Sequence, residues 1–190
     1  VLVTAGDEGF ALPMAVTLHS TLSHIAPHQP VRIVGLDAGL TPRSRRYIAQ
    51  VVRETHADTT LRWVQPDISA LTEITIKTAA RFNASIFYRL LIPEVLPDSY
   101  ERVLYLDSDI VVEESIEELW SQSFGDDIAL AVPERTVSCP ENGIAEWERL
   151  GLAAEAPYFN SGVMLIHLDR WQEADISGAA LRYLTNPENR

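Results

Sequence analysis

Short apolar runs alternate with amphipathic stretches along the whole chain. Residues 1–5 read as a strand. Over residues 10–24 the spacing turns helical, with Leu12, Val16, Leu18, Leu22 and Ile25 apolar and Pro13 tolerated in the first turn. Residues 31–36 read as a second strand. Thr41-Pro42 opens another helix, with Thr as N-cap and Pro at the first helical position. Residues 61–64 form a third apolar run, whereas 67–80 keep neither period. Residues 85–96 are expected to be helical, with Pro93 bending or ending the helix. Val103-Leu104-Tyr105-Leu106 is a continuous apolar run, as a parallel strand covered on both faces requires. Ser115-Ile116-Glu117-Glu118 fits a capping box before a short helix. Residues 128–132 and 163–166 read as buried strands, and 169–184 as a helix.

Strand and helix alternate at βαβ lengths. The expected fold is α/β, a mostly parallel, Rossmann-like sheet with helices on both faces. Ligands bind such sheets beyond the carboxyl ends of the strands. That directs attention to residues 5–7, 37–39, 107–109 and 133–134.

Bulk properties narrow the chemistry. The 190 residues suffice for one domain, and the apolar fraction of 46% is ordinary for a globular protein. The formal net charge is −12 and the pI about 4.7, which argues against nucleic acid or an anionic membrane as a partner. It also means that any phosphate bound here needs a metal, an arginine or helix N-termini to neutralise it. Cys139 is the single cysteine, so no intrachain disulfide forms. No apolar run is long enough to span a bilayer and no signal peptide is visible. The reading is therefore cytoplasmic. The chain starts inside a strand pattern and stops in a loop-like sequence, so it reads as a piece trimmed at both ends.

Asp107 and Asp109 follow the strand at 103–106 directly. Residues i and i+2 project to one side of an extended chain. Two carboxylates so placed can share a hard divalent cation that keeps positions open for phosphate oxygens. Such a cation would hold a diphosphate and accept the charge that develops when a sugar–phosphate bond breaks. Taken alone, D-x-D reads equally well as a polar strand end. The five histidines show no metal-ligand spacing, and His167, ending an apolar strand, reads as packed or hydrogen-bonded.

Four ordered segments carry a resemblance. The runs at 103–111 (Val-Leu-Tyr-Leu-Asp-Ser-Asp-Ile-Val) and 158–166 (Tyr-Phe-Asn-Ser-Gly-Val-Met-Leu-Ile) closely resemble two landmarks of glycosyltransferase family 8. Ala5-Gly6-Asp7 with Phe10 looks like that family's N-terminal nucleotide loop, and Phe87-Tyr88-Arg89-Leu90 like its arginine helix. The resemblance covers essentially the whole chain. It implies a single GT-A nucleotide-sugar-binding domain over residues 1–190, a UDP-sugar donor, manganese (or magnesium) and retention of anomeric configuration. By that resemblance Asp107 and Asp109 are metal ligands. Asp107 and Ser108 also lie at the donor, and Ala5 and Asp7 contact uracil and ribose. Arg89 bridges donor sugar and diphosphate, Asn160 faces the sugar hydroxyls, and Glu134 stands near donor and acceptor where relatives often have Asp. Arg89 suits its role physically, since a planar guanidinium holds two oxygens at once. Read without the resemblance, Asp7 is a turn residue, Arg89 a surface partner of Glu94 or Asp98, and Asn160-Ser161-Gly162 a turn before a strand. Ser85 lies near the same place and is not assigned to the site.

The family's H-x-x-G-x-x-K-P-W segment, with its third metal ligand, and its glutamine–aspartate stretch are not in this sequence and are expected beyond Arg190. The chain is therefore expected to be truncated at its C-terminus, to bind UDP and metal weakly, and to transfer sugar poorly. Peripheral membrane contact, if made, is assigned to the same missing part. A covalent route to retention needs a carboxylate nucleophile that no residue clearly supplies, so a front-face route is favoured. The activity expected is transfer of glucose or galactose from UDP to a saccharide or other hydroxyl acceptor. Two alternatives stand beside it. One is a non-catalytic nucleotide-sugar-binding module. The other is a haloacid-dehalogenase-type phosphatase with Asp107 as nucleophile, which D-x-D-x-[TV] also fits. That motif normally opens its chain, and its lysine lies downstream, whereas Lys77, the only lysine here, lies upstream.

Overall fold

The computed structural model describes residues 1–69, 71, 84–137, 139–144 and 147–186. Most of the ambiguous stretch at 67–80, Lys77 included, lies outside them.

Six strands form one sheet: β1 Leu2–Gly6, β2 Val31–Asp37, β3 Thr59–Val64, β4 Arg102–Leu106, β5 Ala129–Pro133 and β6 Phe159–His167, in the order β3-β2-β1-β4-β6-β5. The pairs β1–β2, β2–β3 and β1–β4 are parallel. β6 runs antiparallel to both its neighbours, so it is the one reversed strand among the six. The sheet is thus mostly parallel, as expected, with one exception that apolar periodicity does not encode.

Alternation along the strands divides the core in two. Val3, Ala5, Val34, Leu36, Val103, Tyr105, Met164 and Ile166 point to one face. Leu2, Ile33, Leu104, Leu106 and Leu165 point to the other. The second face is covered by helix α1 (Ala11–Ser23), helix α2 (Pro42–Thr55) and the partly buried Ile110, Val112, Ile116 and Leu119. The first face is covered by a 3-10 segment, Ala84–Leu91, its continuation α3 (Ile92–Val95), and helices α6 (Leu168–Glu173) and α7 (Ile176–Thr185) near the end of the chain. Two further short helices are α4 (Glu117–Trp120) and α5 (Pro140–Gly143).

Several local readings change. Thr41 does cap α2, accepting from Ser44 N at 3.2 Å with Pro42 at the first position. Pro93, however, sits in the first turn of α3 instead of ending a helix, because its missing N–H is not needed there. In α1 the buried stripe is Met14, Ala15, Thr17, Leu18, Thr21 and Leu22, and it leaves Leu12 and Val16 exposed. The last helical stretch breaks at Asp175, whose left-handed conformation (φ 49°) separates α6 from α7. Ser115 accepts the Glu117 N–H at 3.2 Å, one residue out of step with the expected capping box. β5 is an edge strand that is only half-buried, with Val132 exposed.

Two acidic side chains organise the carboxyl ends of β1 and β2. Glu8, just past β1, accepts from Thr41 N at 2.7 Å and Ser44 Oγ at 2.8 Å, tying the β1 exit to the start of α2. Buried Asp37 closes the turn after β2 through Gly39 N and Leu40 N and pairs with Arg45 at 2.9 Å. Asp37 is thus occupied structurally.

Candidate active site

A cleft of about 240 Å³ opens at the carboxyl ends of β1 and β4. Ala5, Arg89, Asp107, Ser108 and Asp109 line it, together with Gly6, Phe10, Ser85, Ile86 and Tyr105. Five expected site residues therefore converge, and Ser85 joins them. Asp7, Asn160 and Glu134 do not line it, although Asn160 is bonded to Gly162 N beside Asp107.

Asp107 is the centre of the arrangement. Its backbone N–H donates to Gly162 O at 2.7 Å, which closes the sheet between β4 and β6. Its Oδ1 accepts from Arg89 Nη2 at 2.8 Å and from the Tyr105 hydroxyl at 2.8 Å. The guanidinium of Arg89 also lies over the Tyr105 ring, 4.8 Å from its centroid. These contacts follow from strand alternation: Tyr105 and Asp107 project to the face that the segment 84–91 covers, so Arg89 meets both. Burial raises the Tyr105 pKa well above its ordinary value, Arg89 pulls it back in part, and Asp107 raises it further. The hydroxyl therefore stays protonated and serves as a donor.

Arg89 is largely committed to the protein. Nε donates to Ile86 O at 2.9 Å, and Nη1 donates to Ser161 O and to Ser161 Oγ, the latter at 2.6 Å. With the bond to Asp107, four of the five guanidinium N–H groups have acceptors, leaving one on Nη2. Glu94 and Asp98 are not its partners in the structure.

The two aspartates are set differently from the sequence expectation. The strand ends at Leu106, and residues 108 and 109 turn. Asp107, Ser108 and Asp109 all line the cleft because of that turn, not through the i, i+2 rule of an extended chain. Ser108 is buried, while the Asp109 carboxylate is exposed and takes no hydrogen bond from the described residues. Oδ2 of Asp107 likewise has no donor among them. It faces Gly162, where a Cβ would come within 2.7 Å of it. Gly162 thus keeps open the space beside this oxygen.

This donor set fits a hard divalent cation. One Asp107 oxygen and the Asp109 carboxylate are available, and oxygen ligands suit such an ion. The charged residues lining the cleft are Arg89, Asp107 and Asp109, and Arg89 is already paired. A diphosphate would therefore need a cation brought from solution. Among the described residues no group of three or more His, Cys, Asp or Glu could form a metal cage. His167 packs edge-on against Phe124, with ring centroids 5.3 Å apart, and no histidine lines the cleft.

Outside the lining, Asp7 caps the turn Glu8–Phe10, accepting from Gly9 N at 2.8 Å and Phe10 N at 3.3 Å. Asn160 accepts from Gly162 N at 2.8 Å and donates to Glu134 Oε2 at 3.4 Å. The Glu134 carboxyl is held below its ordinary pKa, first by the Thr136 backbone N–H, then by the Thr136 hydroxyl and Asn160.

A family model described as Glycosyl transferase family 8 matches residues 1–190. The chain belongs to that family. The family match covers the chain continuously and sets aside the phosphatase reading of Asp107. Its curated relatives include General stress protein A of Bacillus subtilis (strain 168), 23% identical over 96% of this chain and 61% of that protein. Another is the lipopolysaccharide glucosyltransferase WaaO of Escherichia coli (strain K12), 33% identical over 60% of this chain and 33% of that protein. The chain thus spans about one to two thirds of the length of these relatives. Among solved structures, galactosyltransferase LgtC in complex with donor and acceptor sugar analogues superposes with a TM-score of 0.73 at 25% identity, covering 97% of this chain and 66% of LgtC. The family 8 fold seen here is GT-A.

Tyr105, Ser161 and Gly162 shape the site without carrying a sequence motif for it. Tyr105 reads as a strand residue, and Ser161 and Gly162 as part of a turn before a strand. The available signal was the spacing of Tyr105 and Asp107, which share a face at the strand end.

Proposed function

We propose that this chain carries the donor site of a retaining, metal-dependent hexosyltransferase that takes a UDP-linked glucose or galactose and a saccharide or other hydroxyl acceptor. One observation carries the reading: Arg89 and Tyr105 both hold Oδ1 of Asp107, which leaves Oδ2 and the exposed Asp109 carboxylate to the cleft. Asp107 and Asp109 would hold Mn²⁺, or Mg²⁺ in its place. Such an ion supplies positive charge where the leaving diphosphate becomes more negative.

The remaining roles belong to the chain's own groups. Arg89 orients Asp107 and offers its last N–H to a donor oxygen. Ser108 and the backbone at Ala5 face the nucleotide, and Asp7 stands beside the loop that would hold uracil and ribose. Asn160, with one amide hydrogen directed at Glu134, orients sugar hydroxyls from the β6 side, and Glu134 borders donor and acceptor. A front-face displacement fits this set, because the leaving diphosphate itself then takes the acceptor proton.

Calorimetry with UDP-glucose and UDP-galactose, with and without Mn²⁺, tests the proposal. Binding should depend on the metal, and Asp109→Ala should abolish that dependence. Metal-independent binding, or an Asp109→Ala variant that binds like the parent, would remove the clamp from the site.

A further inference from the structure

The capping box that opens α2 is incomplete within its own sequence. Thr41 is the N-cap, and its hydroxyl takes the Ser44 N–H at 3.2 Å. A glutamate in the place of Ser44 would close the box by reaching back to the Thr41 N–H. The Ser44 hydroxyl donates elsewhere, to Glu8 at 2.8 Å. The acceptor for the Thr41 N–H is Glu8 as well, 33 positions earlier in the chain, through Oε2 at 2.7 Å. Oε1 of Glu8 also takes the Thr41 hydroxyl at 3.2 Å. Both carboxylate oxygens are thus engaged, although the residue is exposed. The Thr41 N–H first, and then the Ser44 hydroxyl, hold this carboxyl below the ordinary glutamate value.

Glu8 stands between residues that line the cleft, with Ala5 and Gly6 before it and Phe10 after it. Asp7 shapes the turn Glu8–Phe10 from within, through Gly9 N and Phe10 N. Glu8 ties the same turn to a different element. A single 3-10 turn has poor hydrogen-bond geometry of its own. Its position beside the cleft therefore depends on what it is tied to.

We infer that Glu8 is a positioning residue for the nucleotide: by completing the cap of α2 from a distance, it holds the turn from Asp7 to Phe10 in place before a ligand arrives. The inference rests on the UDP-donor role proposed for this cleft. A turn fixed beforehand does not have to be ordered on binding, so affinity is gained without a direct contact. A plain helix cap would stabilise α2 and leave the ligand unaffected, so the two roles can be separated.

Calorimetry with UDP in Mn²⁺, calorimetry with Mn²⁺ alone, and urea denaturation test this on Glu8→Ala and Glu8→Ala/Ser44→Glu. The second variant closes the capping box locally and restores the cap without the tie to the turn. Glu8→Ala should bind UDP roughly ten-fold more weakly, because binding must then order the turn. Its Mn²⁺ affinity should be unchanged and its urea midpoint lowered. In the double variant the midpoint should return to that of the wild type, while UDP affinity stays low. UDP affinity that returns with the midpoint would reduce Glu8 to a helix cap and overturn the inference. A Glu8→Ala variant that binds UDP like the wild type, or one whose Mn²⁺ affinity falls in step, would do the same. A wild-type protein that binds no UDP would instead overturn the donor role of the cleft, and this inference with it.

Discussion

Arg89 and Tyr105 take the same oxygen of Asp107, each at 2.8 Å, and leave its other oxygen facing the bare Cα of Gly162. A carboxylate held in this way cannot rotate to offer both oxygens to one ion. It presents a single, fixed oxygen to the cleft. Arg89 gives one N–H to this pairing and three to Ile86 and Ser161, so it is largely committed to the protein before any ligand arrives.

Gly162→Ala is expected to disable the site with little change in the fold. A Cβ there would lie 2.7 Å from Asp107 Oδ2 and 3.0 Å from Asn160 Oδ1, both closer than van der Waals contact allows. Mn²⁺ affinity measured by calorimetry should fall at least about ten-fold, roughly the 1–3 kcal/mol of an overpacked position. A variant that binds Mn²⁺ as tightly as the parent would show that Oδ2 is not the liganding oxygen.

Arg89→Lys is expected to fail where a conservative exchange of charge would be harmless. An ammonium is a compact point charge and cannot span Ser161 and Asp107 as the guanidinium fork does. Urea denaturation should show a loss of about 1–3 kcal/mol, and UDP-sugar binding should weaken in parallel. Unchanged stability would mean that the Arg89–Asp107 pair is as dispensable as an exposed salt bridge.

Glu134 should titrate below the ordinary glutamate value. Its carboxylate accepts the Thr136 N–H at 3.1 Å and the Thr136 hydroxyl at 3.0 Å. Its folded pKa is depressed, so its contribution to stability is present above the ordinary glutamate value and is lost as pH falls through the folded one. Carbon-13 titration of the side-chain carboxyl should place it below the ordinary value, and Thr136→Ala should raise it. A Glu134 that titrates at or above the ordinary value would contradict the observed hydrogen bonds.

Much of this arrangement was legible in the sequence. The apolar run at 103–106 fixed where Asp107 would emerge, and four ordered segments identified the family. Other features left no local signature. Tyr105 sits inside an apolar run, and its hydroxyl gains a role only when the segment at 84–91 folds over that face of the sheet. The reversed direction of β6 is a property of pairing, and an apolar run has the same pattern in either direction. Leu12 and Val16 have the helical spacing of core residues, yet α1 buries the neighbouring stripe through Met14, Leu18 and Leu22. An apolar period identifies a helix, but it does not say which of two apolar stripes meets the sheet. The sequence points to Arg89 but not to its partner Asp107. Glu94 and Asp98 are nearer in sequence, whereas Asp107 reaches Arg89 from just past β4.

Reversal of β6 has a consequence for how such a site diversifies. The strand enters the sheet beside the point where β4 leaves it, so Gly162 is placed by its bond to Asp107 N, Asn160 by pairing with Val132 of β5, and Ser161 between them, and not by the chain that leads into them. The stretch between Glu134 and Tyr158 can therefore lengthen, shorten or change sequence while those three residues stay in register with Asp107. Change in that insert is therefore compatible with an unaltered cleft at Asp107.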